Sequence, residues 1–241
     1  EAAVELLGRT RTGTGEAVTS FELIPRIGLQ MALDHVEGCS DPLGAPHPWY
    51  VLIELYGGRE DGGLGPALEA VLAQAFEDEL VPDAALAQNA QQAADFWRLR
   101  EGIVEGQLYE GGSIKHDVSV AVSRVPESIA AASAEVERLC PGIRPVAFGH
   151  VGDGNIHFNL SQPVDADTDA FLDRWQGINR LVNDLVAAVG GSISAEHGIG
   201  RLKLALLTEF RGDTEIDLMR RIKRAIDPKN TMNPGKVVDP D

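Results

Sequence analysis

The residues of this chain best suited to chemistry lie in one short segment, Gly149-His150-Val151-Gly152-Asp153-Gly154-Asn155-Ile156-His157. Asp153-Gly154 is a two-residue hairpin signal, because both positions tolerate positive φ. A turn there sets His150 opposite His157, Val151 opposite Ile156 and Gly152 opposite Asn155. Opposed cross-strand residues hold their Cβ atoms about 4.5–5.5 Å apart on one face of a sheet. Two imidazoles at that separation can bind one metal ion. Asn159, two residues beyond His157, is expected on the same face. Glu196-His197 follows in a glycine-rich frame with Gly198 and Gly200, so these two side chains need not diverge as they would in a strand. One can ligate while its neighbour stays free as a base. A cross-strand histidine pair with one carboxylate suits a catalytic divalent ion with open positions, zinc by default, with manganese, cobalt or iron also compatible. The plain alternative is a set of polar histidines on a sheet face.

A second constellation is Phe96-Trp97-Arg98-Leu99-Arg100-Glu101-Gly102-Ile103-Val104, followed by Ile114-Lys115-His116-Asp117-Val118-Ser119. On a helix Arg100 and Val104 share a face at i, i+4. In the strand that follows, Lys115, Asp117 and Ser119 alternate away from Ile114, His116 and Val118. Arg100 and Lys115 can together clamp a carboxylate, the first by a bidentate fork and the second as a point charge. Their plain alternative is a pair of solvated surface charges.

The elements that position these groups read as follows. Helices are expected over residues 2–7 and 20–35, joined by a glycine- and threonine-rich loop over 8–15 that lacks the GK[ST] ending of a phosphate-binding loop. Residues 49–56 read as a buried strand, with helices over 64–79 and 84–106. A strand over 114–122, a helix over 126–139, a hairpin over 145–160 and helices over 168–189, 202–208 and 215–226 complete the chain. This order predicts an α+β fold: a mainly antiparallel sheet covered by helices. The length of 241 residues suits one domain, with possible halves 1–110 and 111–241.

Composition narrows the function classes. The content of 44% hydrophobic and 24% charged residues is that of an ordinary globular protein. No apolar run approaches the roughly 18–20 residues that span a bilayer, so no transmembrane segment is expected. A net charge of −16, with the basic residues scattered, argues against nucleic acid as a partner. Cys39 and Cys140 have no metal-finger spacing and are expected as free thiols in a reducing compartment. Neither a signal nor a transit peptide is visible, so the cytoplasm is the expected location, and the start at Glu1 reads as a cut inside a longer protein.

Gly149–His157, Ser194-Ala-Glu-His-Gly-Ile-Gly200, Trp97-Arg-Leu-Arg-Glu101 and Asn233-Pro-Gly-Lys236 resemble the signature blocks of the C-terminal, substrate-binding domain of FAD-linked oxidases. That group holds D-lactate dehydrogenases, the glycolate oxidase D subunit and D-2-hydroxyglutarate dehydrogenase. The blocks stand in the family order along the whole chain, least distinctly in its first ninety residues. The resemblance implies ferredoxin-like halves and a possible homodimer. It also implies His150, His157 and Glu196 as metal ligands, His197 as general base, Arg100 and Lys115 as substrate-carboxylate residues, and Asn159 close to the metal. Asn233 would lie near the flavin. The implied reaction is oxidation of a D-2-hydroxy acid, such as lactate or glycolate, to the 2-oxo acid, with hydride passing to FAD. Two departures matter. Val104 stands where the hydroxyglutarate branch carries a threonine hydroxyl, which favours a monocarboxylate or a longer apolar acid. Nothing in the chain resembles the flavin-binding domain, so an N-terminal FAD-binding domain of the same protein is the expected partner. A self-contained metal-dependent hydrolase and a non-catalytic binding domain remain the alternatives.

Overall fold

The computed structural model describes residues 1–57 and 63–238. Six strands form one sheet in the order β2-β1-β5-β6-β3, with β4 also paired to β6. They are β1 Val18–Pro25, β2 Trp49–Leu55, β3 Ser113–Ile114, β4 Asp117–Ser119, β5 Arg144–His150 and β6 Asn155–Ser161. Every pairing is antiparallel. A bridge between Ser119 and Ser192 adds a vestigial strand beside β4. The second half thus has the strand order 192-β4-β6-β5, that of a ferredoxin-like unit, and β1 with β2 extends the sheet from the first half.

Alternation divides the sheet into two unlike faces. On one, Phe21, Leu23, Ile114, Val118, Ala147, Ile156, Phe158 and Leu160 are buried in the larger apolar core. Helices α1 (Ala2–Thr14), α3 (Leu64–Glu77), α5 (Val125–Leu139) and α7 (Trp175–Ala188) supply Leu6, Leu7, Ala75, Ala132, Val136, Ile178, Val182 and Val186 to it. The other face is only partly roofed. There α2 (Arg26–His35) and α4 (Ala90–Gly106) pack Leu29, Met31, Leu99 and Ile103 on Ile24, Val146 and Phe148. A short helix α6 (Thr168–Leu172) precedes α7, and α8 (Leu204–Phe210) and α9 (Asp213–Ile226) form a small lobe around Leu207, Ile216 and Val238. No described helix is long and apolar enough to cross a membrane. Cys39 and Cys140 are both free thiols.

Several sequence expectations are corrected. The loop expected over 8–15 is the continuation of α1 as far as Thr14. The threonines tolerate it because Thr10 and Thr14 return their hydroxyls to the carbonyls of Leu6 and Thr10 at 2.8 and 2.7 Å, and so remain satisfied on the buried face. The helix expected over 20–35 divides into β1 and α2. Pro25 has no N–H for a helix interior but serves as the N-cap of α2. The strand over 114–122 is broken into β3 and β4. The helix over 84–106 begins at Ala90, where Asn89 accepts a hydrogen bond from the Gln92 amide at 3.0 Å.

The hairpin is closed by four residues, 151–154, and not by Asp153-Gly154 alone. The His150 carbonyl accepts from the amides of Asp153 and Gly154 at 3.3 and 3.1 Å, and the Asp153 carboxylate accepts from the Asn155 amide at 3.0 Å. Only Gly154 of the expected pair has positive φ, at 80°. A Cβ there would stand 1.9 Å from the Val120 carbonyl, so the turn packs too tightly for any other residue. The register moves by two residues: Phe148, not His150, pairs with His157. Since the side-chain period of a strand is also two, the histidines stay on one face and become diagonal neighbours.

Candidate active site

The partly roofed face carries the site, and β6 is its rail. Asn155, His157 and Asn159 alternate with the core residues Ile156 and Phe158. His157 lies between Phe148 of β5 and Asp117 of β4. At Gly149, φ is 145°, and β5 leaves β6 to pair His150 with Glu22 of β1. The His150 and His157 rings are 5.7 Å apart at 77°.

Each histidine has a buried carboxylate behind it. His150 Nδ1 stands 2.6 Å from Glu22 Oε1, and His157 Nδ1 stands 3.8 Å from Asp117 Oδ1. Ahead of both lies Glu196, whose Oε1 is 3.1 Å from His150 Nε2 and whose Oε2 is 3.8 Å from His157 Nε2. Asp117 also builds the loop that brings Glu196 there. Its Oδ2 accepts from three successive backbone amides, Ala195, Glu196 and His197, at 3.1, 2.8 and 2.8 Å. The His197 ring stacks on His157 at 5.7 Å and 23°, with its side chain 62% exposed.

The electrostatics differ from group to group. Burial pushes Glu22 and Asp117 upward, but both are held below the usual carboxylate range, Glu22 by His150 and Arg100 and Asp117 by the backbone N–H groups. The hydrogen bond it donates to Glu22 raises His150, whereas burial and then the Arg100 charge lower His157. Arg100, reaching in from α4, donates from Nε to Glu22 Oε2 at 2.8 Å and lies 4.7 Å over the Phe148 ring. Among the described residues no acceptor engages its two terminal nitrogens. The Asn159 amide donates to Gln107 Oε1 at 2.8 Å, and Gln107 donates on to Ser161 Oγ at 3.1 Å.

The structure therefore brings His150, His157, Glu196 and His197 together, with Arg100 beside them and Asn159 further along β6. Lys115 is exposed, at the register position facing Asn159, and has no partner among the described residues. Asn233 is exposed at φ 50° in the segment after α9, and none of the contacts just described reaches it. Glu22 and Asp117 are the site residues that sequence reasoning missed. Alternation had already put Asp117 on this face; no sequence signal marked Glu22.

The residues present fit a divalent cation. Ligand atoms of Asp117, His157, Glu196 and His197 all lie within 4.8 Å of one another. Asp117 Oδ1 is buried without a hydrogen-bond partner, an orphan that a cation or its hydration would satisfy. Two carboxylates with two imidazoles form a donor set for zinc or manganese. His150 stands just outside this foursome, on the far side of Glu196.

The chain is 34% identical over 240 residues to a probable mitochondrial D-2-hydroxyglutarate dehydrogenase of Oryza sativa subsp. indica, covering 97% of this chain and 40% of that protein. It is 40% identical over 214 residues to a D-2-hydroxyglutarate dehydrogenase of Xanthomonas citri pv. viticola, covering 86% and 44%. A putative mitochondrial D-lactate dehydrogenase of Schizosaccharomyces pombe is 31% identical over 251 residues, covering 99% and 47%. The chain thus spans less than half the length of these relatives. The fold matches that of p-cresol methylhydroxylase with substrate bound, with a TM-score of 0.68 at 16% identity, over 99% of this chain and 51% of that one. The family profile described as FAD linked oxidases, C-terminal domain, matches residues 1–237, and the chain belongs to that family.

Proposed function

We propose that this chain is the substrate- and metal-binding part of a flavin-dependent D-2-hydroxy acid dehydrogenase, acting with an FAD-binding domain N-terminal to it. The family and the greater length of the relatives support the partner domain. The observation that carries the chemistry is the clustering of His150, His157 and His197 around Glu196, beside an Arg100 guanidinium with unused donors.

His150, His157 and Glu196 would hold a divalent ion, zinc by default, which would supply Lewis acidity for the 2-hydroxyl, and the flavin of the partner domain would supply the two-electron acceptor. The chain's own residues bind, orient and move the proton. Arg100 binds the substrate carboxylate through its two terminal nitrogens. Glu22 grips its Nε and so fixes the plane of the fork. Phe148 beneath the guanidinium keeps water from its underside. Lys115 adds a second cation at the rim, and Asn159, held by Gln107, lines the floor. His197 takes the hydroxyl proton at Nε2, since Nδ1 is the nitrogen facing Asp117. Clamping the carboxylate fixes the orientation of the Cα hydrogen. Asn233 is the residue we assign to the flavin edge.

The test is a dye-linked assay of D-2-hydroxy acids, run on this chain alone and on the protein in which it is joined to its FAD-binding domain. Turnover is expected only in the second, abolished by a chelator and restored by zinc or manganese. Turnover by the isolated chain, or chelator-resistant activity at full rate, overturns the proposal.

A further inference from the structure

Each candidate ligand histidine has a buried carboxylate at its Nδ1, in hydrogen-bond contact at His150 and at ion-pair distance at His157. Glu22 on β1 and Asp117 on β4 are each about 1% exposed, far apart in sequence, and each presents one oxygen to an Nδ1. In each carboxylate the other oxygen is already claimed. Arg100 Nε takes Glu22 Oε2, and three backbone amides take Asp117 Oδ2. The oxygen left over faces the ring Nδ1, where it can accept the proton of that nitrogen. Glu22 does so at 2.6 Å; Asp117 Oδ1 waits at 3.8 Å, buried and with no other partner.

From this paired arrangement we infer that Glu22 and Asp117 are positioning residues that lock His150 and His157 in the Nδ1–H tautomer, so that both Nε2 lone pairs face Glu196. A histidine whose Nδ1–H is held by a carboxylate is oriented and made a stronger ligand at Nε2. Glu22 extends this to the substrate side, since one carboxylate sets both the His150 tautomer and the plane of Arg100. Asp117 does the same for the loop, carrying Glu196 and His197 on the oxygen that His157 does not use. The inference rests on the metal-site reading above for its purpose, though the tautomers themselves need no metal.

Amide substitutions test it sharply, because in each case the single remaining oxygen is pre-empted. In Glu22→Gln the oxygen must serve Arg100, and in Asp117→Asn it must serve the loop amides. The NH2 group then faces Nδ1, donor against donor, and drives the proton to Nε2. Long-range 1H–15N NMR of the ring nitrogens in the metal-free chain, at a pH where both rings are neutral, should show Nδ1–H in the wild type. It should show Nε2–H at His150 in Glu22→Gln and at His157 in Asp117→Asn. Zinc affinity, measured against a competing chelator, should fall about ten- to hundredfold in each variant, with the far-UV circular dichroism unchanged. Folded variants that keep the wild-type tautomers and zinc affinity overturn the inference. If a variant fails to fold, the wild-type spectrum still decides: Nε2–H predominating in either ring overturns it. A wild-type chain that binds no zinc but shows both Nδ1–H tautomers removes the metal reading and upholds the two locks.

Discussion

The two faces of the sheet are built from the same strands and obey different rules. In β6, Ile156, Phe158 and Leu160 point into a continuous apolar core, while Asn155, His157 and Asn159 point to a face that α2 and α4 leave partly open. Residues one position apart thus serve stability and chemistry separately. The difference teaches how this fold can hold charged groups at low exposure. Glu22 and Asp117 are tolerable because Glu22 meets Arg100 and His150 and one oxygen of Asp117 meets three backbone N–H groups, and because the opposite face supplies the burial energy.

The division is broken most directly at adjacent positions. Phe158→Ala should cost about 3–5 kcal/mol of stability, the range for deleting a buried aromatic side chain, with little change in zinc affinity of the folded fraction. His157→Ala should abolish zinc binding while costing about 1 kcal/mol, a typical value for a partly buried site. Urea unfolding and chelator competition on both variants check this. Equal stability losses from the two would erase the distinction between the faces.

Arg100→Ala attacks the open face from the helix side. In the protein joined to its FAD-binding domain it should cost on the order of 2–5 kcal/mol in kcat/KM, because the substrate carboxylate is left desolvated and unpaired. Arg100→Lys should recover only part, since an ammonium cannot hold Glu22 with Nε and fork the substrate together. A full recovery by lysine would show that only charge is needed there.

The faces also differ in the sign of their pH dependence. His116 points into the core and donates from Nδ1 to the Phe158 carbonyl at 2.9 Å; burial pushes it down to about 4. Between that value and the unfolded value near 6.5, the unfolded chain binds a proton that the folded chain refuses. Stability from this group is therefore full above about 6.5 and lost as pH falls towards 4, on the order of 3 kcal/mol in all. On the open face His150 is raised by Glu22, so its contribution is present at low pH and lost as pH rises through its elevated value. Glu22 and Asp117, held low, give way only in stronger acid. His116→Asn keeps a donor for the Phe158 carbonyl and should flatten the limb between pH 7 and 4.5 in urea titrations. An unchanged limb would assign it to the open face.

What could be read from the sequence follows the same boundary. The period-two pattern of β6, the Gly-rich reversal and Glu196-His197 were legible because their information is local. The parity of the hairpin was legible too, although its register was not, since Asp153 caps Asn155 and takes no positive φ. β1 was hidden because residues 20–35 carry a helical pattern across Pro25. With it went Glu22, whose histidine lies 128 positions away. Asp117 was placed on the correct face, but its role depends on a loop 78–80 positions further on. α1 was hidden because glycine and threonine suggest a loop until the hydroxyls are seen bonding backward.

The smallest expected effect concerns Val104, which lies one helical turn after Arg100 and is 43% exposed. Its isopropyl group offers no hydrogen bond to a second carboxylate, yet the relatives include enzymes named for D-2-hydroxyglutarate. If the open face reads the distal end of the acid through α4, Val104→Thr should improve kcat/KM for D-2-hydroxyglutarate relative to D-lactate by about fivefold. That ratio corresponds to one hydrogen bond of about 1 kcal/mol net. Stability should hardly change, because valine and threonine are nearly isosteric and the site is solvated. The ratio of the two specificity constants before and after substitution is the measurement. A native preference for hydroxyglutarate of a hundredfold, left unmoved by Val104→Thr, would show that the distal carboxylate is read by residues other than those on this face of α4.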